Sequence, residues 1–240
     1  MSTTVQIHEL VQPYVSERDD LVLVGRAIIL KPIRHLLRGY FIDRTSWKGG
    51  MKPRWFVNLM FRPQESTGFQ WTGRLQPTYG EIEDDDFPQR LFKAMDVAFH
   101  ELRKIESAND ICKLHLVVDL RREDQMAYRS LISTSIGNFD VASEELSEYI
   151  KEVRGWNDRD MEFIRLFTRR GSRAEQRKLR EYAEGVRLLD RIIDLHALVQ
   201  KQDRHGIADL LREWERNTAK AWKIDHLWEP TPFPFEEDAI

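Results

Sequence analysis

The sequence predicts an α+β fold: a mainly antiparallel N-terminal sheet packed on a helix, followed by a C-terminal bundle of helical hairpins. Three observations predict it. Val/Ile/Leu-rich and aromatic runs broken by Gly and Pro are confined to residues 21–75. From residue 87 onward, apolar residues recur at three- and four-residue spacings, the mark of one buried helix face. An acidic run at residues 81–86 separates the two textures. The expected organisation is an α+β basic and aromatic domain over 1–120, a helical-hairpin domain over 121–225 and an acidic Pro/aromatic tail over 226–240.

Residues 5–17 suit a short helix or an extended lead-in, because Pro13 opposes a long helix. LVLVGRAIIL, at 21–30, reads as one buried strand closed by Pro32. LLRGYFIDRTS and PRWFVNLMFRP are joined by a Gly49-Gly50 turn and predict an antiparallel hairpin. In its second strand Trp55, Val57, Leu59 and Phe61 share one face, and Phe56, Asn58, Met60 and Arg62 the other. Gln70–Leu75 adds a short strand. Leu91, Met95, Ala98, Leu102 and Ile105 form one stripe, predicting a helix over 87–105 with Pro88 in its first turn and Asp84–Asp86 before it. Cys112–Leu120 fits strand alternation or helix.

Beyond residue 123 the pattern is helical. A helix over 124–135 turns at Gly137-Asn138. Asp140 caps a second that ends near Gly155, and Asn157 or Asp158 caps a third with Met161, Ile164 and Phe167 inward. Ser172 with Glu175 forms a capping box opening a helix to Gln200, with Leu179, Tyr182, Val186, Leu189, Ile193 and His196 inward. A turn at 202–206 reverses into a last helix with Ile207, Leu210, Leu211, Trp214 and Ala221 on its apolar side. Ile136–Ala142 resembles the turn between the helices of a tetratricopeptide-type repeat, and 202–211 is a looser second instance. The unit between them does not match, and the consensus Trp, Tyr and Pro positions are unfilled. The two segments are therefore read as helical-hairpin chemistry. The prolines alternating with aromatics from Trp228 exclude regular structure in the tail, which is free, docked on its own chain or a partner motif.

Composition narrows the chemistry. Cys112 is the single cysteine, which excludes an intrachain disulfide and a cysteine zinc site within one chain. No secretory leader pattern opens the sequence and no run is long enough to span a bilayer, so a cytoplasmic protein without membrane contact is expected. There is no phosphate loop, no nucleophile elbow and no acid-x-Lys pair. His8-Glu9 begins like a zincin helix, but Gln12 stands where the second His must be. Asp190 and Asp194, interleaved with Arg187 and Arg191, read as surface ion pairs rather than metal ligands, and His205 with Asp209 as a helix start. His196 reads as a core histidine. Neither a metal nor a cofactor is expected.

The strongest functional signal is charge. Residues 21–80 carry ten Lys/Arg against two acids, within a chain whose net charge is −3. They carry it among aromatics. The candidate partner-binding residues are Arg34, His35, Arg38, Arg44, Trp47, Lys48, Lys52, Arg54 and Trp55. Such a segment meets an anionic partner or an acidic part of its own chain. In the second case the rings are core, and the cations pair with residues 81–86 or with the tail, which has five acids and no Lys or Arg from Asp225 onward. The function expected is a non-enzymatic interaction protein, such as an adaptor, inhibitor or assembly component, binding an anionic protein partner through a basic aromatic hairpin. The alternative is nucleic-acid binding through the same face. The second alternative is an enzyme whose active site no motif announces. Oligomeric state is not set by the sequence.

Overall fold

The computed structural model describes residues 3–46, 49–63, 67–74, 80–81, 84–113, 122–167 and 188–237. Its contacts divide the chain into two compact units: Met1–Met60, Glu65–Asp119 and Glu215–Thr231 form the first, and Phe61–Gln64, Leu120–Trp214 and Pro232–Ile240 the second.

In the first unit, α1 (Thr4–Ser16) starts on a capping box: Thr3 Oγ1 accepts from the Gln6 amide at 3.2 Å, and the Gln6 side chain accepts from the Thr3 amide at 2.9 Å. The helix accommodates Pro13 in its last turn. The run at 21–30 is not one strand. It folds back into β1 (Leu21–Val24) and β2 (Ala27–Leu30), paired in antiparallel register Val24↔Ala27. Gly25, at φ +60°, occupies the first position of the two-residue turn, where a hairpin needs a left-handed residue. β3 (Leu36–Arg44) and β4 (Gly50–Leu59) form the expected hairpin, with Tyr40 opposite Trp55. β5 (Trp71–Gly73) and β6 (Gly80–Glu81) both pair with β4. The pairings between these strands are antiparallel, in the order β1-β2-β3-β4-β5.

Alternation along β3 and β4 creates two buried faces. Tyr40, Trp55, Val57 and Leu59 share one. It meets α2 (Phe87–Arg103), whose Leu91, Met95, Ala98, Phe99 and Leu102 are buried. The rings of Tyr40 and Phe99 are 6.4 Å apart, and Tyr14 of α1 stands 5.2 Å from Phe92. Asp84 and Asp86, before this helix, hold Arg90 at 2.6 and 3.0 Å. On the other face, Ala27, Ile29, Leu37 and Phe56 bury against Ala219, Trp222 and Ile224, and Phe56 stacks on Trp222 at 5.4 Å. The segment after that cover continues along the sheet: Trp228 bridges Ile33, and the Glu229 amide donates to the Ile33 carbonyl at 2.8 Å. Ala108–Lys113 is a 3-10 turn, which takes in Cys112; the strand-or-helix segment beyond it lies outside the described residues.

The second unit is helical: α3 (Arg122–Ser135), α4 (Phe139–Phe167), α5 (188–200), the first part of α6 (Arg204–Trp222) and α7 (Pro234–Glu237). Three expectations change here. The backbone of α4 is helical throughout, past Gly155 and Asn157, because a helix-interior Gly costs only about 1 kcal/mol relative to Ala. Asp140 lies in its first turn, and Asn138 holds the cap position, its carbonyl accepting from Ala142 at 2.9 Å. In α5 the buried stripe is Leu189, Ile192, Leu195 and Val199, which leaves Ile193 and His196 half-buried on its flank. The side chains of Met161, Ile164 and Phe167, and the segment carrying Ser172, Glu175, Leu179, Tyr182 and Val186, lie outside what is described.

The tail is partly regular. Phe233 and Phe235 are buried, stacked on each other at 5.7 Å and set edge-on to Phe61 and Phe139. Glu236 accepts from the Phe233 amide at 2.7 Å and from Arg212, which fixes the single turn of α7. Three helices end in the same motif, a left-handed residue with amide bonds back to the last turn. These residues are Gly137 (φ +81°) after α3, Gln202 (φ +51°) after α5 and Lys223 (φ +58°) after α6. At Lys223 its own amide donates to the Lys220 carbonyl at 3.0 Å, and the Ile224 amide to the Ala219 carbonyl at 2.9 Å. A side chain in that conformation costs about 1–2 kcal/mol relative to the right-handed region.

His196 carries a pH prediction within this unit. The Ser147 and Ser143 hydroxyls stand 3.1 and 3.4 Å from its Nε2. Burial lowers its pKa below the ordinary value of 6.5, against an opposing push from Ser143. A base with a lowered folded pKa binds its proton less readily folded than unfolded. Its contribution is complete above the unfolded value and declines as pH falls through that value toward the folded one. Urea midpoints measured across about pH 7 to 5 should therefore fall less steeply for His196→Gln than for the parent. Equal slopes would remove His196 from the balance.

Candidate functional site

The structure divides the predicted basic cluster into buried members, a group at one end of β3 and a group at the other. Arg38 is only 8% exposed, and its guanidinium donates to the carbonyls of Leu102, Ile105 and Pro32. It closes the C-terminal end of α2, where last-turn carbonyls lack helical partners and a cation is favoured. Burial nonetheless lowers its pKa, with Glu106 opposing. Trp55 is 1% exposed and lies against Gly73. These two belong to the core of the sheet unit and not to its surface.

Arg34 and His35 sit where the chain enters β3. Arg34, 55% exposed, pairs with Glu229 at 3.5 Å. Its neighbour His35 is the middle of a polar chain: Thr231 Oγ1 stands 3.2 Å from Nε2, and Oε1 of Glu215 lies 2.7 Å from Nδ1. Glu215 is fully buried, so its carboxylate depends on such polar partners. The hydroxyl–imidazole–carboxylate order is that of a nucleophile, base and orienting acid. Here it runs beside the Ile33–Trp228 bridge, where it also ties the C-terminal segment to the sheet. No sequence signal could have paired His35 with Glu215, since 180 positions separate them.

Lys52 and Arg54 occupy the opposite end. Arg54 pairs across the ladder with Phe41, five positions along β3 from Leu36, so the two basic groups are roughly 17 Å apart at ~3.3 Å per residue. Arg54 donates to Asp43 at 3.4 Å and lies 5.9 Å above the ring of Phe69. Its Nε is buried without a hydrogen-bond acceptor among the described residues. Lys52 is opposite Asp43 and half-buried. Arg44 closes β3, its side chain undescribed; Trp47 and Lys48 lie outside the described residues.

Next to Arg54 the cover over the sheet is incomplete. A groove of about 270 Å³ remains, lined by Val24, Ala27, Phe41, Phe69, Trp222 and Lys223 among others. Its rings stand at angles to one another: Phe41 and Phe69 are 5.0 Å apart at 59°, and Phe69 and Trp222 5.8 Å apart at 53°. Lys223 is exposed at its edge. Sequence reasoning missed Phe69, Trp222 and Lys223 as a group because they come from a loop and a helix end about 150 positions apart. The available signal was Lys223 itself, a non-glycine residue at a helix stop.

Among the described residues, no group of three or more His, Cys, Asp or Glu is placed to hold a metal, and no helix is long and apolar enough to cross a membrane. Asp190 and Asp194 are exposed, and His205 and Asp209 form a surface pair at 3.3 Å. A scan against protein-family models, a search of curated proteins and a search of solved structures each find no match.

Proposed function

We propose that the chain is a non-enzymatic interaction protein whose sheet unit docks an anionic protein partner at the Lys52–Arg54 end of the β3–β4 hairpin. The supporting observation is the grouping of Lys52, Arg54 and Lys223 at that end, beside half-exposed aromatic rings. At the Arg34 end, Glu229, Glu215 and Thr231 of the chain's own C-terminal segment meet the basic groups. At the Arg54 end, Asp43 is the carboxylate paired with Arg54 among the described residues, while Lys52, Arg54 and Lys223 contribute positive charge. A cluster of cations favours an acidic surface and speeds its approach.

A protein partner is favoured over nucleic acid because base stacking needs exposed ring faces. Tyr40, Trp55 and Phe56 are all buried; only Phe41 and Phe69 of the described hairpin-end rings are half-exposed. The test is fluorescence anisotropy with a glutamate-rich peptide and a single-stranded oligonucleotide, each titrated at ~50 and ~200 mM salt. The peptide should bind in a salt-sensitive way, and Lys52→Glu with Arg54→Glu should weaken it at least ~10-fold, the equivalent of about 1.4 kcal/mol. Equal binding by parent and double variant would reject this face. Tighter binding of the oligonucleotide, lost in the same variant, would move the function to nucleic acid.

A further inference from the structure

The groove beside Arg54 has features that a purely electrostatic docking face does not need. Its walls are aromatic, and they come from two separate covers of one sheet face: Phe41 on the strand itself, Phe69 from the loop before β5, and Trp222 from the end of α6. Elsewhere that face is closed by Ala219, Trp222 and Ile224, yet Val24, Phe41 and Phe69 stay only partly buried. The rings meet at tilted angles, which leaves edges and faces to receive one more ring in an offset or edge-on contact. At about 270 Å³ the groove falls just below the range of drug-sized ligand sites, roughly 300–1,000 Å³, and suits a single side chain.

Two cations frame it. Arg54 lies over Phe69, with one face of its charge taken by Asp43 and its Nε unmatched among the described residues. Lys223, at the left-handed stop of α6, also lines the groove. Glycine fills such a stop at least cost, since it alone lacks the Cβ that crowds the backbone there. At Lys223 the side chain brings an ammonium group to the edge of an aromatic groove.

We infer that the groove receives one aromatic side chain of the anionic partner, flanked by carboxylates that meet Arg54 and Lys223. The partner is thus an acidic segment with an aromatic anchor, bound as a ring in the groove and charges at its edges. This rests on the docking reading above and specifies what that partner must look like.

The experiment uses the full chain and two fluorescent peptides: a glutamate-rich peptide with one central Phe, and the same peptide with Ala in its place. Two variants separate the contributions. Thr67→Trp puts bulk at the groove's exposed rim, where Thr67 contributes to the lining. Lys223→Gly removes the ammonium while easing the backbone. The Phe peptide should bind at least tenfold more tightly than the Ala peptide, and Thr67→Trp should erase that difference. Lys223→Gly should weaken both peptides severalfold without lowering the urea midpoint. That combination cannot come from lost stability. If the two peptides bind alike and Thr67→Trp changes nothing, the anchor is rejected and the electrostatic docking face still stands. If neither peptide binds the parent chain, both readings fall.

Discussion

Replacing Phe233 and Phe235 together by Ala should cost more than about 4 kcal/mol, because each large-to-small change at a buried ring costs about 3–5 kcal/mol and the two rings share neighbours, so their effects are not additive. Both rings are at most 1% exposed. They stack on each other and meet Phe61 and Phe139 edge-on, so removing them opens one continuous space in the helical unit. Arg204 donates to the Phe235 carbonyl at 2.7 Å, and Arg212 pairs with Glu236, so the last turn is also held through its polar groups. Gly137 adds a close approach: a Cβ there would lie 2.6 Å from Phe235 Cβ. Urea unfolding followed by circular dichroism should show a lower midpoint, and hydrogen exchange should localise lost protection to α3 and α4. An unchanged midpoint would mean the tail is not part of the folded unit. Arg212→Ala alone should cost less than the ring pair, since it removes a half-exposed ion pair and no core volume.

Gly39→Val should cost at least about 3 kcal/mol or prevent folding, as overpacking in a tight core does. A Cβ at Gly39 would lie 2.4 Å from the Ile28 carbonyl oxygen and 2.8 Å from Cζ of Phe56. The first of these is a backbone atom on the neighbouring strand and cannot move without breaking the β2–β3 ladder. The second belongs to a fully buried ring already stacked on Trp222. Even Gly39→Ala should lower the urea midpoint, although alanine normally suits a strand better than glycine. The pair Gly39→Ala with Phe56→Leu should recover part of that loss by clearing the ring while leaving the carbonyl conflict. A Gly39→Ala protein as stable as the parent would overturn this account of the sheet.

The two predictions differ in how far the sequence anticipated them. Gly39 interrupts LLRGYFIDR, and an isolated glycine in a strand pattern does mark a close approach. What approaches it, the ring of Phe56 and the carbonyl of Ile28, follows only from the register of three strands. For the tail, alternating Pro and Phe signalled that no long element forms, and gave no means of telling a free end from a docked one.

The basic cluster shows the same division at the candidate site. Its cations are clustered in sequence, but strand alternation and a rise of ~3.3 Å per residue set Arg38 inward and place Arg34 and Arg54 at opposite ends of the hairpin. Arg38 turned inward because α2 ended where its guanidinium could reach the carbonyls of Leu102 and Ile105. Arg54 stayed at the edge because a groove beside it leaves that part of the face incompletely covered.

By itself, then, the sequence determined the α+β class, the β3–β4 hairpin, the span of α2 and the helical character of the second half. Each of these rests on periodicity and on local turn chemistry, which act between residues a few positions apart. Tertiary structure alone decided that residues Glu215–Thr231 return to the sheet unit, that Glu215 lies against His35, that Phe233 and Phe235 close the helical unit, and that a groove remains between Phe41, Phe69 and Trp222. Those outcomes depend on which surfaces find one another between residues far apart in the chain. Burial energy is proportional to area and carries no direction along the chain, so it leaves no local pattern to read.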